Sequence, residues 1–286
     1  IKSLWNNLQE FPFEGNMKVV SFNVNGIRAR FHQLEALVNS QNPDIICFQE
    51  TKVHNDDFPF DALKDLGYKI IINGQKGHYG VATFYKGELV SSSLGFKNDP
   101  KDAQCRLITS THKLKKGELT CINGYFPQGE SRDHPTKFPY KKKFFADLMK
   151  HLDENFTKDQ NIIILGDLNI SPEDKDIGIG ENNRKRWLQT GKCSFLPEER
   201  DWLQKIIDWG FQDSYRQVNP TSDDLFSWFD YRSRGFDDNP KRGLRIDHLW
   251  ITEPLIKKIK DVGIDYKIRG MEKPSDHAPV WTEFSF

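Results

Sequence analysis

From Met17 onward the chain alternates between short apolar runs and polar breaks. Residues 18–25, 44–50, 68–73, 80–86, 106–112, 118–125, 161–169, 245–252 and 278–286 are rich in Val, Ile, Phe and Thr and bounded by Gly, Pro, Asn or Asp, which predicts strands. Four stretches follow a helical period instead. Residues 31–40 place Leu34, Leu37 and Val38 on one face, 60–66 form a shorter pattern, 135–155 the longest, and 197–209 open with Pro-Glu-Glu, a favourable first turn. Strand runs with dispersed helices predict two packed sheets covered by helices. No internal repeat, low-complexity tract or long linker divides the chain, so residues 17–286 read as one domain. Residues 1–16 read as an N-terminal extension, in which Leu4, Trp5 and Leu8 could make one helical turn before Phe11-Pro12-Phe13 breaks it.

Composition narrows the class without naming it. At 286 residues, with 37% hydrophobic and 29% charged residues, the chain is long enough to bury a core and is globular in type. Lys plus Arg equals Asp plus Glu at 41 each, so no global basic field points to nucleic acid. Locally the picture differs: 130–150 holds six Lys or Arg against three acids, Arg184-Lys185-Arg186 adds a basic spot, and 226–234 interleaves aromatics with arginines. Such interleaving suits base stacking or wedging as well as core packing. Cys47, Cys105, Cys121 and Cys193 are scattered, which argues against a zinc site or disulfide framework, and Cys47 and Cys121 sit in apolar runs as small buried hydrophobes. No run approaches a membrane span and no secretory signal is visible, so a cytoplasmic, reducing compartment is the expectation.

Polar residues collect where the strands end. Asn23 and Asn25 share one face of the 18–25 strand by its period of two, although Asn at a strand end before Gly26 also suits a turn. Glu50 ends a buried strand and is either a cap or a ligand for a hard cation. Asp167 and Asn169 project from four consecutive aliphatics, placed to hold a metal, a water or a phosphate oxygen, or to make an Asx turn into Ser171-Pro172. Asp247 interrupts an apolar strand and needs a partner, either Arg245 or a histidine from elsewhere. In Ser275-Asp276-His277 the neighbours face opposite ways, so Asp247 is the better partner for His277, with Asp276 left to face a metal.

Taken in order, Asn-x-Asn-Gly (23–26), Gln-Glu-Thr-Lys (49–52), Asn-Gly-Tyr-Phe-Pro-Gln-Gly (123–129), Gly-Asp-x-Asn (166–169), Ile-Asp (246–247) and Ser-Asp-His-Ala-Pro-Val (275–280) resemble the exonuclease III family of the endonuclease–exonuclease–phosphatase superfamily. The resemblance runs from about Met17 to the end and is closest to its bacterial branch. It implies an α/β (α+β) fold, a four-layer α/β sandwich of two mixed sheets flanked by helices. It implies a Mg²⁺-dependent DNA repair nuclease, with Mn²⁺ able to substitute, acting in base excision repair. Such an enzyme cuts duplex DNA 5′ to abasic sites, digests it 3′ to 5′ and trims blocked 3′ ends. By motif, Asn23, Glu50, Asp167, Asn169 and Asp276 match the metal site. Tyr125, Asp167, Asn169, Asp247 and His277 match the catalytic set. Asn25, Arg106, Gln128, Lys137, Trp228 and Phe229 are the expected DNA contacts, and a monomer is expected. Two departures stand out: 238–243 is about two residues longer than in close relatives, and His248 replaces an apolar or aromatic residue. Lipid and inositol phosphate esterases share the fold, but an aromatic–arginine loop has no evident use there.

Overall fold

A computed structural model describes residues 11–286. The expected turn around Leu4, Trp5 and Leu8 lies outside the described residues. Twelve strands are present among those described: β1 (Asn16–Asn23), β2 (Ile45–Gln49), β3 (Lys69–Asn73), β4 (Val81–Tyr85), β5 (Leu89–Leu94), β6 (Leu107–Lys113), β7 (Glu118–Tyr125), β8 (Asn161–Asp167), β9 (Phe211–Asp213), β10 (Asp247–Thr252), β11 (Ile259–Ile264) and β12 (Val280–Ser285). The main helices are α1 (Phe31–Gln41), α2 (Phe60–Leu63), α3 (Lys137–Asn155), α4 (Glu181–Thr190) and α5 (Pro197–Trp209). The strands form two six-stranded sheets, ordered β11-β12-β1-β2-β4-β3 and β5-β6-β7-β8-β10-β9. Each sheet is mixed, with one parallel pair: β1 with β2 and β7 with β8.

The alternation along β8 shows how the layers arise. Ile162 and Ile164 face the outer core beneath α3 and α5, with Phe145, Leu148 and Trp202. Ile163 and Leu165 face the core between the sheets, with Val19, Ile45 and Phe284. A third core packs the other sheet against α1 through Phe22, Leu34, Leu37 and Phe48. Helices, sheet, sheet and helices therefore stack as four layers. All four aliphatics of β8 are fully buried, each contributing roughly 1.5–3 kcal/mol relative to exposure. Cys47 and Cys121 are buried in the inter-sheet core, as their apolar runs suggested.

Elements absent from the sequence reading are those with little apolar signal. β5 carries Ser91, Ser92 and Ser93 on an exposed edge, and β11 is an edge strand with Lys260 and Asp261 exposed. α4 buries only Trp187. Phe13 bridges to Leu114, so the end of the extension docks on the second sheet.

One glycine is dictated by close approach. Gly166 has φ +141°, and a Cβ there would lie 1.9 Å from the carbonyl oxygen of Gly124 on β7. Gly166→Ala is expected to cost about 3 kcal/mol or more, because backbone must move and an L-residue is strained at that φ. Urea unfolding of the variant measures this; a loss under 1 kcal/mol would show that β7 and β8 separate easily.

Candidate active site

The two parallel pairs decide where polar residues meet. β1 and β2 end at the same edge, as do β7 and β8. β10 runs antiparallel to β8 and β12 antiparallel to β1, so each begins where its neighbour ends. Asn23, Glu50, Tyr125, Asp167, Asp247 and His277 therefore arrive at one rim of the sandwich, outside carboxyl ends of strands, where open α/β sheets bind ligands.

The contacts are direct and cross from sheet to sheet. Asn23 Nδ2 donates to Glu50 Oε1 at 2.8 Å and to Asp167 Oδ2 at 2.9 Å. His277 Nδ1 donates to Asp247 Oδ2 at 2.8 Å, which turns Nε2 toward Asp167 Oδ2 at 3.7 Å. Glu50, Asp167 and His277 offer atoms that all lie within 4.8 Å of one another. Arg106 lies over the Tyr125 ring at 4.7 Å while donating to the Tyr125 carbonyl at 3.0 Å. Lys52 Nζ closes the exposed side, 3.1 Å from Glu50 Oε2.

Backbone at the two strand exits is shaped alike. The Asn25 amide donates to Asn23 Oδ1 at 3.1 Å, and the Asn169 amide to Asp167 Oδ1 at 3.0 Å. In both Asx turns the third residue is left-handed, with φ 45° at Asn25 and 53° at Asn169, a conformation asparagine tolerates. The turn reading and the site reading thus coexist: one side-chain atom makes the turn and the other faces the rim. Asn25 is consequently off the strand, which ends at Asn23. Glu50 is also left-handed at φ 53°, a strain of order 1–3 kcal/mol of the kind found where function requires it.

Charge crowding sets the protonation states. Burial, with the Asp247 and Glu50 charges, pushes the Asp167 carboxyl up to about 8 against the opposing pull of His277 and the Asn23 hydrogen bond. Burial works against an imidazolium at His277, but Asp247, Asp167 and Asp276 outweigh it and raise the group to about 10. Burial, with the Glu50 and Asp167 charges, holds the Tyr125 phenol well above its ordinary value, so it remains a donor. Glu50 and Asp247 face one imidazolium beside an Asp167 carboxyl that gives up its proton only near pH 8, and Asp247 Oδ1 is buried without a hydrogen-bond partner. Oxygen donors in that electrostatic state suit a hard divalent cation.

The remaining expected residues fall in different places. Asp276 lies beside the acid cluster, its carboxylate held by Asn25 Nδ2 at 2.9 Å and Trp228 Nε1 at 3.1 Å. Gln128 is exposed and caps its own turn, accepting from the Glu130 amide at 2.6 Å. Lys137 is exposed but paired with Glu130 at 2.6 Å. Arg106 is buried, stacked between Tyr79 and Tyr125. Phe229 corrects the expectation of a DNA contact: it is fully buried against Phe226, Phe236 and Tyr266 and presents nothing to a ligand. Trp228 alone of that pair reaches the rim. Arg245 is not the partner of Asp247. It lies before the ladder of β10 and pairs instead with Asp176 and Asp213, at 2.7 and 2.6 Å.

Sequence reasoning missed Ser227 and Ser275. Ser227 Oγ accepts the amides of Ile246 and Asp247, at 3.0 and 2.9 Å, and Ser275 Oγ donates to the Asn23 carbonyl at 2.6 Å. A serine in a polar loop gives no signal of such a role. Gln49, adjacent to Glu50, reaches across the seam to Asn123 Oδ1 at 2.9 Å.

Fold and rim together define a metal-assisted phosphoesterase. Residues 20–277 match the endonuclease/exonuclease/phosphatase family. The chain is 58% identical over 268 residues to exodeoxyribonuclease III of Haemophilus influenzae, spanning 94% of this chain and all of that protein. It is similar in structure to a 3′ phosphatase from Neisseria bound to a product DNA hairpin, with a TM-score of 0.84, 36% identity, and coverage of 94% and 100% of the two chains. An AP endonuclease from Archaeoglobus fulgidus also superposes with a TM-score of 0.84, at 34% identity over 94% of this chain and 99% of that one. The chain therefore belongs to the endonuclease/exonuclease/phosphatase family, in its branch of exodeoxyribonuclease III and AP endonucleases. It is a nuclease, a hydrolase of phosphodiesters.

The raised His277 value carries a pH signature. A histidine whose folded value lies above its unfolded value of about 6.5 stabilises the fold fully below that pH and stops doing so as pH rises through about 10. Without divalent metal, the difference in melting temperature between the native protein and His277→Gln is expected to be greatest near pH 6 and to shrink above pH 10. Thermal melts across that range test it; a difference constant with pH would mean that His277 is neutral.

Proposed function

We propose that this rim hydrolyses the DNA backbone 5′ to abasic sites, removes blocking groups from 3′ ends and digests duplex DNA from 3′ ends, in base excision repair. The observation that carries the reading is the meeting of Glu50, Asp167 and His277 from both sheets beside a protonated Tyr125. Glu50, Asp167 and Asn169 would hold Mg²⁺, or Mn²⁺ in its place, with Asp276 beside them; Asn23, expected among the ligands, instead turns its Nδ2 to the rim and orients Glu50 and Asp167. Bound there, the ion supplies Lewis acidity to the phosphate and relief for the leaving 3′ oxygen.

The chain's own residues do the rest. Asp167, with an affinity for protons near neutrality, orients a water and takes its proton. The water oxygen bonds to phosphorus, the bond from phosphorus to O3′ breaks, and the leaving O3′ takes a proton from solvent water, giving a 3′ hydroxyl and a 5′ phosphate. Asn169 fixes the water's geometry. His277, held by Asp247, donates from Nε2 to a non-bridging oxygen, and the Tyr125 hydroxyl donates to the same phosphate.

Duplex DNA would be gripped by local rather than global charge. Arg186, Lys192 and Arg232, together with Arg242 paired to Asp238, border a recess of about 290 Å³ walled by Trp187 and Trp228, next to the rim. Several cations counted toward a basic face are neutralised: Arg132 pairs with Glu198, Lys143 with Asp147 and Arg184 with Glu181. Trp228 is the proposed contact at an abasic sugar, where the missing base makes unstacking cheap. We take the active species as a monomer in the cytoplasm, with residues 17–286 as the catalytic domain. No helix among the described residues is long and apolar enough to cross a membrane.

Cleavage of an abasic duplex with and without Mg²⁺ is the direct test. Chelation should abolish turnover, and Glu50→Ala should raise the Mg²⁺ requirement or remove activity with the fold intact. Full activity after exhaustive chelation would refute the metal role. Asp247→Ala and His277→Ala should each lower kcat by about 10²–10³, and together by less than the product, because they act as a unit. At the rim, Trp228→Ala should reduce preference for abasic over intact duplex. Phe229→Ala should instead cost about 3–5 kcal/mol of stability. Abasic preference that survives Trp228→Ala with normal kinetics would move recognition to the 125–132 turn.

A further inference from the structure

Among the cations that the sequence places on a basic stretch, Lys141 behaves unlike its neighbours. It lies in the first turns of α3, and its side chain is fully buried. Its ammonium sits among three acceptors: the carboxylate of Glu199 on α5, the carbonyl of Asn169 at 2.9 Å and the carbonyl of Gln128 at 3.3 Å. An ammonium has three protons to donate, so the three acceptors saturate it. Glu199 is equally buried, and its other oxygen accepts the amides of Ser194 and Leu196 at 2.8 Å each. Nothing in this arrangement reaches a phosphate outside the protein.

The two carbonyls are informative. Asn169 stands where β8 has ended and the chain has turned left-handed, so its carbonyl has no ladder partner. The next two carbonyls are also taken by side chains, Ile170 by His248 Nε2 at 2.8 Å and Ser171 by Arg200 Nε at 3.2 Å. On the other side of Asn169, its amide nitrogen Nδ2 donates to the Phe126 carbonyl at 2.9 Å. Phe126 and Gln128 belong to the segment that follows Tyr125. The last backbone bond between the two segments is from the Phe126 amide to the Asp167 carbonyl at 2.9 Å, and beyond it Lys141 ties the carbonyl of Asn169 to that of Gln128.

We propose that Lys141 is a positioning residue for hydrolysis and not a DNA contact. Its buried ammonium fixes the left-handed turn at Asn169 and the Tyr125–Gln128 segment relative to each other, with Glu199 as counter-charge. The inference rests on Asn169 acting at the phosphate, as argued above. A displacement of about 1 Å at a reacting centre costs up to about 10²-fold in rate, so a residue that touches no substrate can still govern kcat.

Three roles for Lys141 give different results. As a positioning residue, Lys141→Met should lower kcat on an abasic duplex about 10- to 100-fold. KM and the dependence of DNA binding on salt should stay within twofold of the native values. In an Asn169→Ala background the same substitution should cost almost nothing further, because it acts through Asn169. A DNA contact would instead raise KM and flatten the salt dependence. A residue serving stability alone would lower the melting temperature and leave kcat unchanged. Either of those results, or losses that multiply in the Asn169→Ala background, overturns the proposal. Should Lys141→Met fail to fold because Glu199 is left buried without its partner, the pair Lys141→Met with Glu199→Gln is read in its place; failure of both to fold also overturns it. Asn169→Ala alone separates the premise: if that variant keeps full activity, the role of Asn169 falls, whatever Lys141 does.

Discussion

Three carboxylates, Glu50, Asp167 and Asp247, crowd one rim where two sheets meet, and much of the structure around them serves to make that tolerable. Buried negative charge without compensation costs several kcal/mol per ion. Here His277 answers Asp247, and Asn23 donates to both Glu50 and Asp167. The Asn169 amide donates to the other Asp167 oxygen. A divalent cation would be attracted to the oxygens of Glu50 and Asp167 that face each other across the rim. Burial, reinforced by the neighbouring carboxylates, raises the proton affinity of Asp167, and the attraction of Asp247 and Asp167 overcomes burial to hold His277 cationic.

Such crowding demands that two sheets be aligned to within a hydrogen bond. Polar side chains inside the seam supply that registration. Gln49 bonds Asn123, Ser214 bonds Thr282 at 2.7 Å, and Asn123 also donates to the Ala82 carbonyl at 3.0 Å. An apolar seam would tolerate sliding, because burial has no direction. Hydrogen-bonded pairs do not, since sliding leaves their groups buried and unsatisfied. A second buried set, Arg245 with Asp176, Asp213 and His248, pins the approach to β10 from the opposite face. Because Arg245 can only donate, His248 accepts at Nδ1 and gives its Nε2 proton to Ile170, and burial beside that arginine holds the imidazole neutral, down to about 4.

Motif residues and the groups that place them occupy different parts of the chain. Asn23, Glu50, Asp167, Asp247 and His277 stand at strand ends, where hydrophobic period breaks and polar type shows. Lys141, Glu199, Arg245 and Ser227 lie in a helix turn, a helix, a strand approach and a loop, where the same residue types are usually solvated. Their importance comes from burial, which local pattern does not report. The same gap explains why a stretch with net positive charge proved largely self-neutralised. Sequence distance hides the pairing of Arg132 with Glu198 and of Lys141 with Glu199.

The sequence by itself determined the layered fold, most strands, the main amphipathic helices and the ordered polar motifs. Period and residue type are local properties, and the buried runs on β1, β2, β7 and β8 are long enough to display them. It could not settle the faint edge strands β5 and β11, or the polar helix α4, whose side chains bury too little to mark a period. Nor could it decide between rival partners for one residue. Whether Asp247 met Arg245 or His277, whether Phe229 entered DNA or the core, and whether Lys141 faced solvent or Asn169 depended on which surfaces the two sheets and α3, α4 and α5 brought together. Those choices turn on burial and on distances between residues far apart in the chain, and only the packed structure supplies them.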